Sequence, residues 1–466
     1  MGMTTFAIPH SLSIKYTLQL YRTTTYPFCF MPPNYEGSDG DDMSMDMSYS
    51  LVDGDSNRES GYLPDELLLE ILSYFPPSPA SQSDLYRFCL VSQQWYDVGI
   101  SRLYEHPILV GSAYQLFVRT VCPSINAHIR KSELASLVRT LDLGNIVHQG
   151  SKSVTARLLG RTKASLGHFV APQASFAINC WAALSKCSRL KYLDLSLVSE
   201  SISYQSLAQT LRSLSNLTDL FLPRCSSAHD SDSDALNIRW PPKLQRLHLS
   251  GSVHGKFVLD LGQHPENFPP ALTHLSISHA PKIIAEELLY LLQSLGGQLL
   301  SLEITHLPRL SEGSLDSVLT VCSHLTHLII AIDYISFELG EQQPLWGAHM
   351  WEQSLPLDSL TILTSGHHHP ESVSYFAPAD LWEMVDKRYF GRLRHIRVAE
   401  STGWRNGEFA DEWEMLFDVL VELDQENFVM KRWHYAGDIG EGMTYEEWRK
   451  TKQGQDMAPD MGLLDG

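Results

Sequence analysis

Basic residues are scarce in this chain of 466 residues: 35 Lys and Arg stand against 54 Asp and Glu, a formal charge of −19. Tracking a nucleic acid takes a surplus of cations to displace counterions, and an anionic membrane surface asks for the same, so both partner classes are disfavoured. Cysteine is sparse as well. The seven present (Cys29, Cys89, Cys122, Cys180, Cys187, Cys225 and Cys322) are odd in number and never stand in CxxC. That argues against a disulfide framework and a structural zinc site, and it fits a reducing compartment. No run of about 18 apolar residues occurs, and no compact apolar stretch is followed by a cleavage site, so neither a membrane span nor a secretory signal is expected. HExxH and GxSxG are both missing.

Two weaker motifs carry no chemistry. GSVHGKF (251–257) has three residues between its glycines where a phosphate loop has four, and Phe257 where the Mg-binding Ser or Thr belongs. It reads as a turn. His367, His368 and His369 stand side by side before Pro370, without the helical or hairpin spacing that aims several rings at one ion, and read as a solvated loop. No metal or other cofactor is expected. What remains is a chain with 43% hydrophobic residues, enough for a sizeable or a long stacked core.

Organisation changes along the chain. Residues 1–35 are rich in Ser and Thr and lack acids, a composition shared with mitochondrial transit peptides, while Phe6 stands where a myristoylation signal has Ser or Thr. Residues 36–60 carry eight acids and one base with few large apolar groups, too few to offset the entropy of ordering. The expectation for 1–60 is a flexible leader. At Leu63 helical periodicity begins. LPDELLLEILSYF (63–75) puts Pro64 at the first turn, Asp65 and Glu66 where the helix dipole favours them, and Leu67, Leu68, Ile71, Leu72 and Phe75 at helical spacing. DLYRFCLVSQQWYDVGISRLY (84–104) supplies two more short apolar helical stretches. Three short helices make a marginal fold alone.

From about residue 134 the dominant signal is self-similarity. L-x-x-L-x-L returns as LKYLDL (190–195), LTDLFL (217–222), LQRLHL (244–249), LTHLSI (272–277), LLSLEI (299–304) and LTHLII (325–330), at spacings of 27, 27, 28, 27 and 26 residues. Looser copies are VRTLDL (138–143), LGHFVA (166–171), LDSLTI (357–362) and LRHIRV (393–398). Each copy predicts a short strand, followed by a return segment that reads as helical over 202–214, 283–295, 314–322 and 377–389. One unit cannot keep its own leucines dry, but stacked units bury them as a continuous core. Beyond residue 400 the pattern ends. Residues 401–466 hold 15 acids and 6 bases, and DEWEMLFDVLVELDQENF (411–428) predicts an amphipathic helix capping the last repeat within 401–435, with a mostly flexible acidic tail over 436–466.

These two patterns resemble known modules. Leu63-Pro64, Glu66, Ile71-Leu72, Leu90-Val91-Ser92 and Trp95, in that order, make residues 61–108 similar to an F-box, the module that attaches substrate receptors to the Skp-type adaptor of cullin-RING ubiquitin ligases. The resemblance implies that Leu63, Pro64, Leu67, Ile71, Leu72, Leu90, Val91 and Trp95 supply adaptor contact or the packing beneath it. F-boxes often carry basic residues around the Trp, whereas this chain has Gln93, Gln94, Tyr96 and Asp97. Residues 109–400 look like a leucine-rich repeat array, an α/β solenoid in which parallel strands line the concave face of a horseshoe. Cys187 and Cys322 precede strand-opening leucines as in the cysteine-bearing kind of repeat, and read as core thiols.

Alternation along the strands nominates a docking face. With Leu193 and Leu195 inward, Tyr192 and Asp194 point outward, and in the later units so do Phe221, Arg246, His248, His274, Glu303, His327, Ile329, His395 and Arg397. The combined expectation is an intracellular, non-catalytic substrate receptor of a cullin-RING ubiquitin ligase, resident in cytoplasm or nucleus. A repeat scaffold acting independently of any ligase is the alternative.

Overall fold

The computed structural model describes residues 63–464 apart from 77, 124–131, 147–151, 175, 199–203, 224–237, 252, 341–353, 366–374, 431 and 433–441. The leader over 1–60, the histidines at 367–369, Cys29 and Cys225 lie outside the described residues.

Three helices open the described chain. In α1 (Asp65–Ser73) the amides of Leu67 and Leu68 both donate to the carbonyl of Pro64, and Asp65 and Glu66 occupy the dipole-favoured first turn. Ser78 caps α2 (Pro79–Cys89) by accepting from the amide of Ser81 at 3.2 Å, and Ser92 caps α3 (Gln93–Glu105) by accepting from that of Trp95 at 3.3 Å. Both α1 and α2 pack on α3. Leu68, Leu72, Leu85, Phe88 and Cys89 form a small core. Close approach depends on Gly99, because a Cβ there would stand 2.8 Å from Phe88 Cδ1 and 2.9 Å from Cys89 Sγ.

The chain then passes into the array. The Arg139 amide donates to the Glu105 carbonyl at 2.9 Å, and the His106 ring bonds the Thr140 hydroxyl at 2.7 Å, tying the end of α3 to the first strand. α4 (Ser112–Val121) sends Tyr114, Phe117 and Val121 into the array's core.

Eleven parallel strands follow in chain order: β1 (Thr140–Asp142), β2 (His168–Val170), β3 (Tyr192–Asp194), β4 (Asp219–Phe221), β5 (Arg246–Ser250), β6 (His274–Ser278), β7 (Ser301–Thr305), β8 (His327–Ala331), β9 (Ser359–Leu363), β10 (His395–Ala399) and β11 (Asp460–Leu464). All ten copies of the sequence pattern, loose ones included, are strands. Their register stacks Leu141, Phe169, Leu193, Leu220, Leu247, Leu275, Leu302, Leu328, Leu360 and Ile396 in one row, none more than 2% exposed. Each inner residue is covered by the rungs before and after it, which is why the core is continuous.

Return helices close the other side: α5 (Lys152–Thr162), α6 (Ile178–Leu184), α7 (Tyr204–Ser213), α8 (Gly255–Gln263), α9 (Ala285–Leu295), α10 (Val318–Val321), α11 (Pro378–Asp386) and α12 (Ala410–Val429). The helix expected over 314–322 shrinks to four residues. Asp316 instead accepts the Ser336 amide at 2.8 Å and its hydroxyl at 2.5 Å, holding 314–317 as a turn against the next connection. Cys187 and Cys322 are fully buried, and burial pushes both thiols up to about 12. Only the start of GSVHGKF is a turn, where Gly251 takes φ of 69°; Gly255, Lys256 and Phe257 open α8, and the carboxylate of Glu287 fills the place beside Gly255 where a side chain would stand.

The end of the chain departs from expectation. α12 matches the predicted amphipathic helix and buries Leu416, Val419, Leu420 and Leu423, but it packs on α11 as one more return segment rather than ending the stack. The segment read as a mostly flexible tail then forms α13 (Tyr445–Lys450), α14 (Lys452–Asp456) and β11, which pairs with β10 from His395↔Asp460 to Ala399↔Leu464. Trp448, 1% exposed, packs on Phe428 at 5.2 Å, and the Tyr445 hydroxyl donates to Asp424 at 2.7 Å. Two aromatic anchors thus hold a strand whose acidic setting hides it.

Candidate functional site

Two surfaces are set up by these elements. The first belongs to the helical unit. Leu67 is 50% exposed, Leu90 65% and Val91 60%, while Ile71 is also open and Pro64 faces solvent at the head of α1. Gln94 donates to Asp65 at 2.7 Å, so the starts of α1 and α3 meet, and the Leu90-Val91 turn enters α3 beside the first turn of α1. Leu63 is half-buried. Two of the nominated residues fall on the packing side of the expectation and not on the open surface. Leu72 is buried, and Trp95 is half-buried with its ring 4.4 Å from that of Phe88, so both pack beneath the surface. The helical period explains Leu72, which lies four residues from buried Leu68 on the inner side of α1. Leu69 and Tyr74, both exposed, were not nominated because they fall off the inner stripe that periodicity detects.

The second surface is the sheet face opposite the return helices. All eleven nominated residues lie there, in two lanes set by the register. Tyr192, Arg246, His274, His327 and His395 occupy first-position sites, and Asp194, Phe221, His248, Glu303, Ile329 and Arg397 third-position sites. Phe221 is corrected as a reachable contact: it is 7% exposed, covered by the rings of Tyr192 at 5.2 Å and His248 at 5.3 Å. The same rule applied to LGHFVA and LTDLFL would have found His168 and Asp219, and applied to LTHLSI would have found Ser276.

Those additions complete a ladder across six strands, β2 to β7. The His168 ring stacks on Tyr192 at 3.9 Å and 8°, followed by Phe221 and His248. His248 Nδ1 bonds the Ser276 hydroxyl at 2.7 Å, and that hydroxyl donates to Glu303 at 2.7 Å. Farther on, Arg397 pairs with Asp460, and Arg394 Nε donates to Asp358 at 2.6 Å. Burial holds His274, His327 and His395 below the usual imidazole range, and drives His168 down to about 4, so these rings are neutral near pH 7. A face of neutral rings, hydroxyls and paired charges offers shape and hydrogen-bonding groups more than net charge. Among the described residues no cluster of three His, Cys, Asp or Glu is arranged to hold a metal.

Comparison with known proteins bears on the helical unit and on the chain as a whole. The F-box-like family model matches residues 61–109. F-box protein YDR306C of Saccharomyces cerevisiae is 32% identical over 341 residues, covering 73% of this chain and 67% of the relative. Protein pof5 of Schizosaccharomyces pombe is 27% identical over 346 residues, 74% of this chain and 91% of the relative. Among solved structures, the leucine-rich repeat-containing protein LegL7 from Legionella pneumophila aligns over 60% of this chain and 90% of its own, at 15% identity and a TM-score of 0.36. Identification of the array rests on its own strand register.

Proposed function

The chain belongs to the F-box protein family, and from that premise we propose that it is the substrate-recognition subunit of a cullin-RING ubiquitin ligase. Its helical unit binds a Skp-type adaptor, through it a cullin, and its sheet face holds a protein substrate. The observation that carries this reading is the set of apolar side chains left open on a marginal helical unit, Leu67, Ile71, Leu90 and Val91, at positions where the F-box pattern puts adaptor contacts. Large apolar groups exposed together mark an interaction surface.

The chain then works by tethering. Holding a substrate beside a ubiquitin-charged enzyme turns a bimolecular encounter into an intramolecular one, and no nucleophile is asked of this protein. Burial fits that role, since the thiols of Cys187 and Cys322 are sealed and protonated.

Co-purification of the full chain with the adaptor tests the proposal. Leu67→Asp with Leu90→Asp places charges on two open positions, so the fold is expected to persist by circular dichroism while adaptor association is lost. Failure of the intact chain to bring down the adaptor would return the protein to the ligase-independent scaffold, and adaptor binding that survives in the folded double variant would remove Leu67 and Leu90 as the contact.

A further inference from the structure

One carboxylate in the middle of the sheet face stands without a cation. Glu303, at the third position of β7, is half-buried, and its Oε2 accepts from the Ser276 hydroxyl at 2.7 Å. Among the described residues its side chain makes no other hydrogen bond and no ion pair. The arginines of the face are engaged elsewhere, Arg246 with Asp219 at 3.2 Å, Arg394 with Asp358 and Arg397 with Asp460. A half-buried carboxylate that has lost part of its hydration and gained no opposite charge is a place where a cation binds favourably.

A hydrogen-bond relay holds Glu303 from one side. A hydroxyl has one proton to give, and that of Ser276 goes to Glu303. The 2.7 Å contact between Ser276 and His248 is therefore donated by the ring, from Nδ1. One oxygen of Glu303 is thus tied to β6, and the other is left for a partner.

The same proton count settles the tautomer of His327, at the first position of β8. The Thr326 hydroxyl donates to the Leu300 carbonyl at 2.9 Å, so its 2.8 Å contact with His327 is donated by Nδ1 of the ring. Neutral near pH 7, that ring carries its lone pair on Nε2, which has no hydrogen-bond partner among the described residues. It is an acceptor, like Glu303.

Register brings the two acceptors beside one apolar side chain. Glu303 pairs with half-buried Ile329 across β7 and β8, and His327 precedes Ile329 by two residues on the same face. Rungs ~4.8 Å apart and a rise of ~3.3 Å per residue put the backbones of Glu303 and His327 about 8 Å apart on the diagonal. A planar fork of N–H donors can bridge two acceptors so placed, whereas an ammonium is a single point of charge.

We propose that this part of the face receives an arginine side chain of a protein partner, its guanidinium donating to Glu303 Oε1 and His327 Nε2 and its methylene stem lying on Ile329. The assignment rests on the receptor reading and deepens it, naming a side chain that the substrate presents.

The probe is Nα-acetylarginine methylamide, titrated into the full chain carrying isotope-labelled isoleucine methyl groups and followed by NMR at the Ile329 resonance. A saturable shift is expected, weakening as salt rises. The lysine counterpart should bind less well, and the citrulline counterpart, which keeps the shape and lacks the charge, should not bind. Glu303→Gln retains an oxygen for Ser276, so folding is preserved, and the Kd is expected to rise about ten-fold or more. His327→Asn retains a donor for Thr326 and lacks Nε2, and should raise the Kd about three-fold. Glu286→Gln removes the same formal charge from the exposed first turn of α9 and should leave the Kd unchanged. No saturable shift, an equal response to either counterpart, an unaltered Kd in either face variant, or an equal loss in Glu286→Gln would each overturn the proposal. Adaptor co-purification of the same preparations reports on the receptor reading separately, since none of these residues belongs to the helical unit.

Discussion

The helical unit and the repeat array use their apolar side chains in opposite ways. In the array, row upon row is sealed: the inner residues of ten successive strands are at most 2% exposed, and one core runs from Leu109 to Leu423. In α1 to α3 the core is only a few residues, while eight of the eighteen large apolar side chains exposed among the described residues lie within Asp65–Glu105. That segment is about a tenth of the described chain, so the concentration is local. The array is built to hold itself together, and the helical unit is left unfinished in a way that an adaptor would complete.

A cavity opened in the array should cost the most stability. Leu302 is fully buried on β7 between Leu275 and Leu328. Leu302→Ala is expected to cost about 3–5 kcal/mol, because both neighbouring rungs lose contacts and neither can collapse into the gap without shifting its own row. Chemical denaturation measures it. A loss below about 1 kcal/mol would mean that the rungs are not mutually supporting.

The helical unit has a corresponding weak point at Gly99. Gly99→Ala forces a methyl against Phe88 and Cys89 at under 3 Å, where α2 and α3 must otherwise separate. A destabilisation of about 1–3 kcal/mol is expected. It should appear as weakened adaptor association and early proteolysis within 63–105, with the array's transition unmoved if the two cores are independent.

Periodicity explains what was legible beforehand. Leucine recurrence located ten of the eleven strands and their inward rows, since a buried position returning every 26 to 28 residues through the central units leaves a trace that survives looser spacing at the ends and substitutions such as Phe169 for Leu. β11 left none. It comes 65 residues after the start of β10, its third residue is Gly462, and its anchoring depends on single aromatic contacts by Tyr445 and Trp448 that no repeat announces. The same limit separates the two surfaces. Alternation assigns a side to every strand residue, but whether an outward ring is reachable, as Tyr192 is and Phe221 is not, depends on which neighbours lie beside it across strands.

His168 refines the comparison through pH. Its ring is held neutral in the fold down to about 4, whereas an unfolded histidine titrates near 6.5. The unfolded chain therefore binds the extra proton first, and stability falls as pH drops from about 6.5 towards 4. By pH 5 this one group is expected to remove about 1–2 kcal/mol after allowance for partial solvent access. Asp424, whose carboxyl is raised by burial, acts in the opposite sense, so the test is a difference. In His168→Phe, which keeps a ring on Tyr192, the thermal midpoint should decline less between pH 7 and pH 5 than in the parent. Identical slopes would place the acid sensitivity elsewhere.

The smallest expected effect carries the comparison furthest. Leu69 is 56% exposed and Tyr74 76%, and the Tyr74 hydroxyl donates to exposed Glu70 at 3.2 Å. Replacing both by Ser removes two large apolar groups, yet water already reaches most of their surface, so stability is expected to change by less than about 0.5 kcal/mol. The same chemical deletion inside the array costs several times as much. If the double variant proved as stable as the parent while adaptor association weakened, these side chains would be shown to serve a partner and not the fold. A large destabilisation would mean instead that the helical unit relies on them for its own cohesion, and that its exposed apolar side chains do not mark an adaptor site.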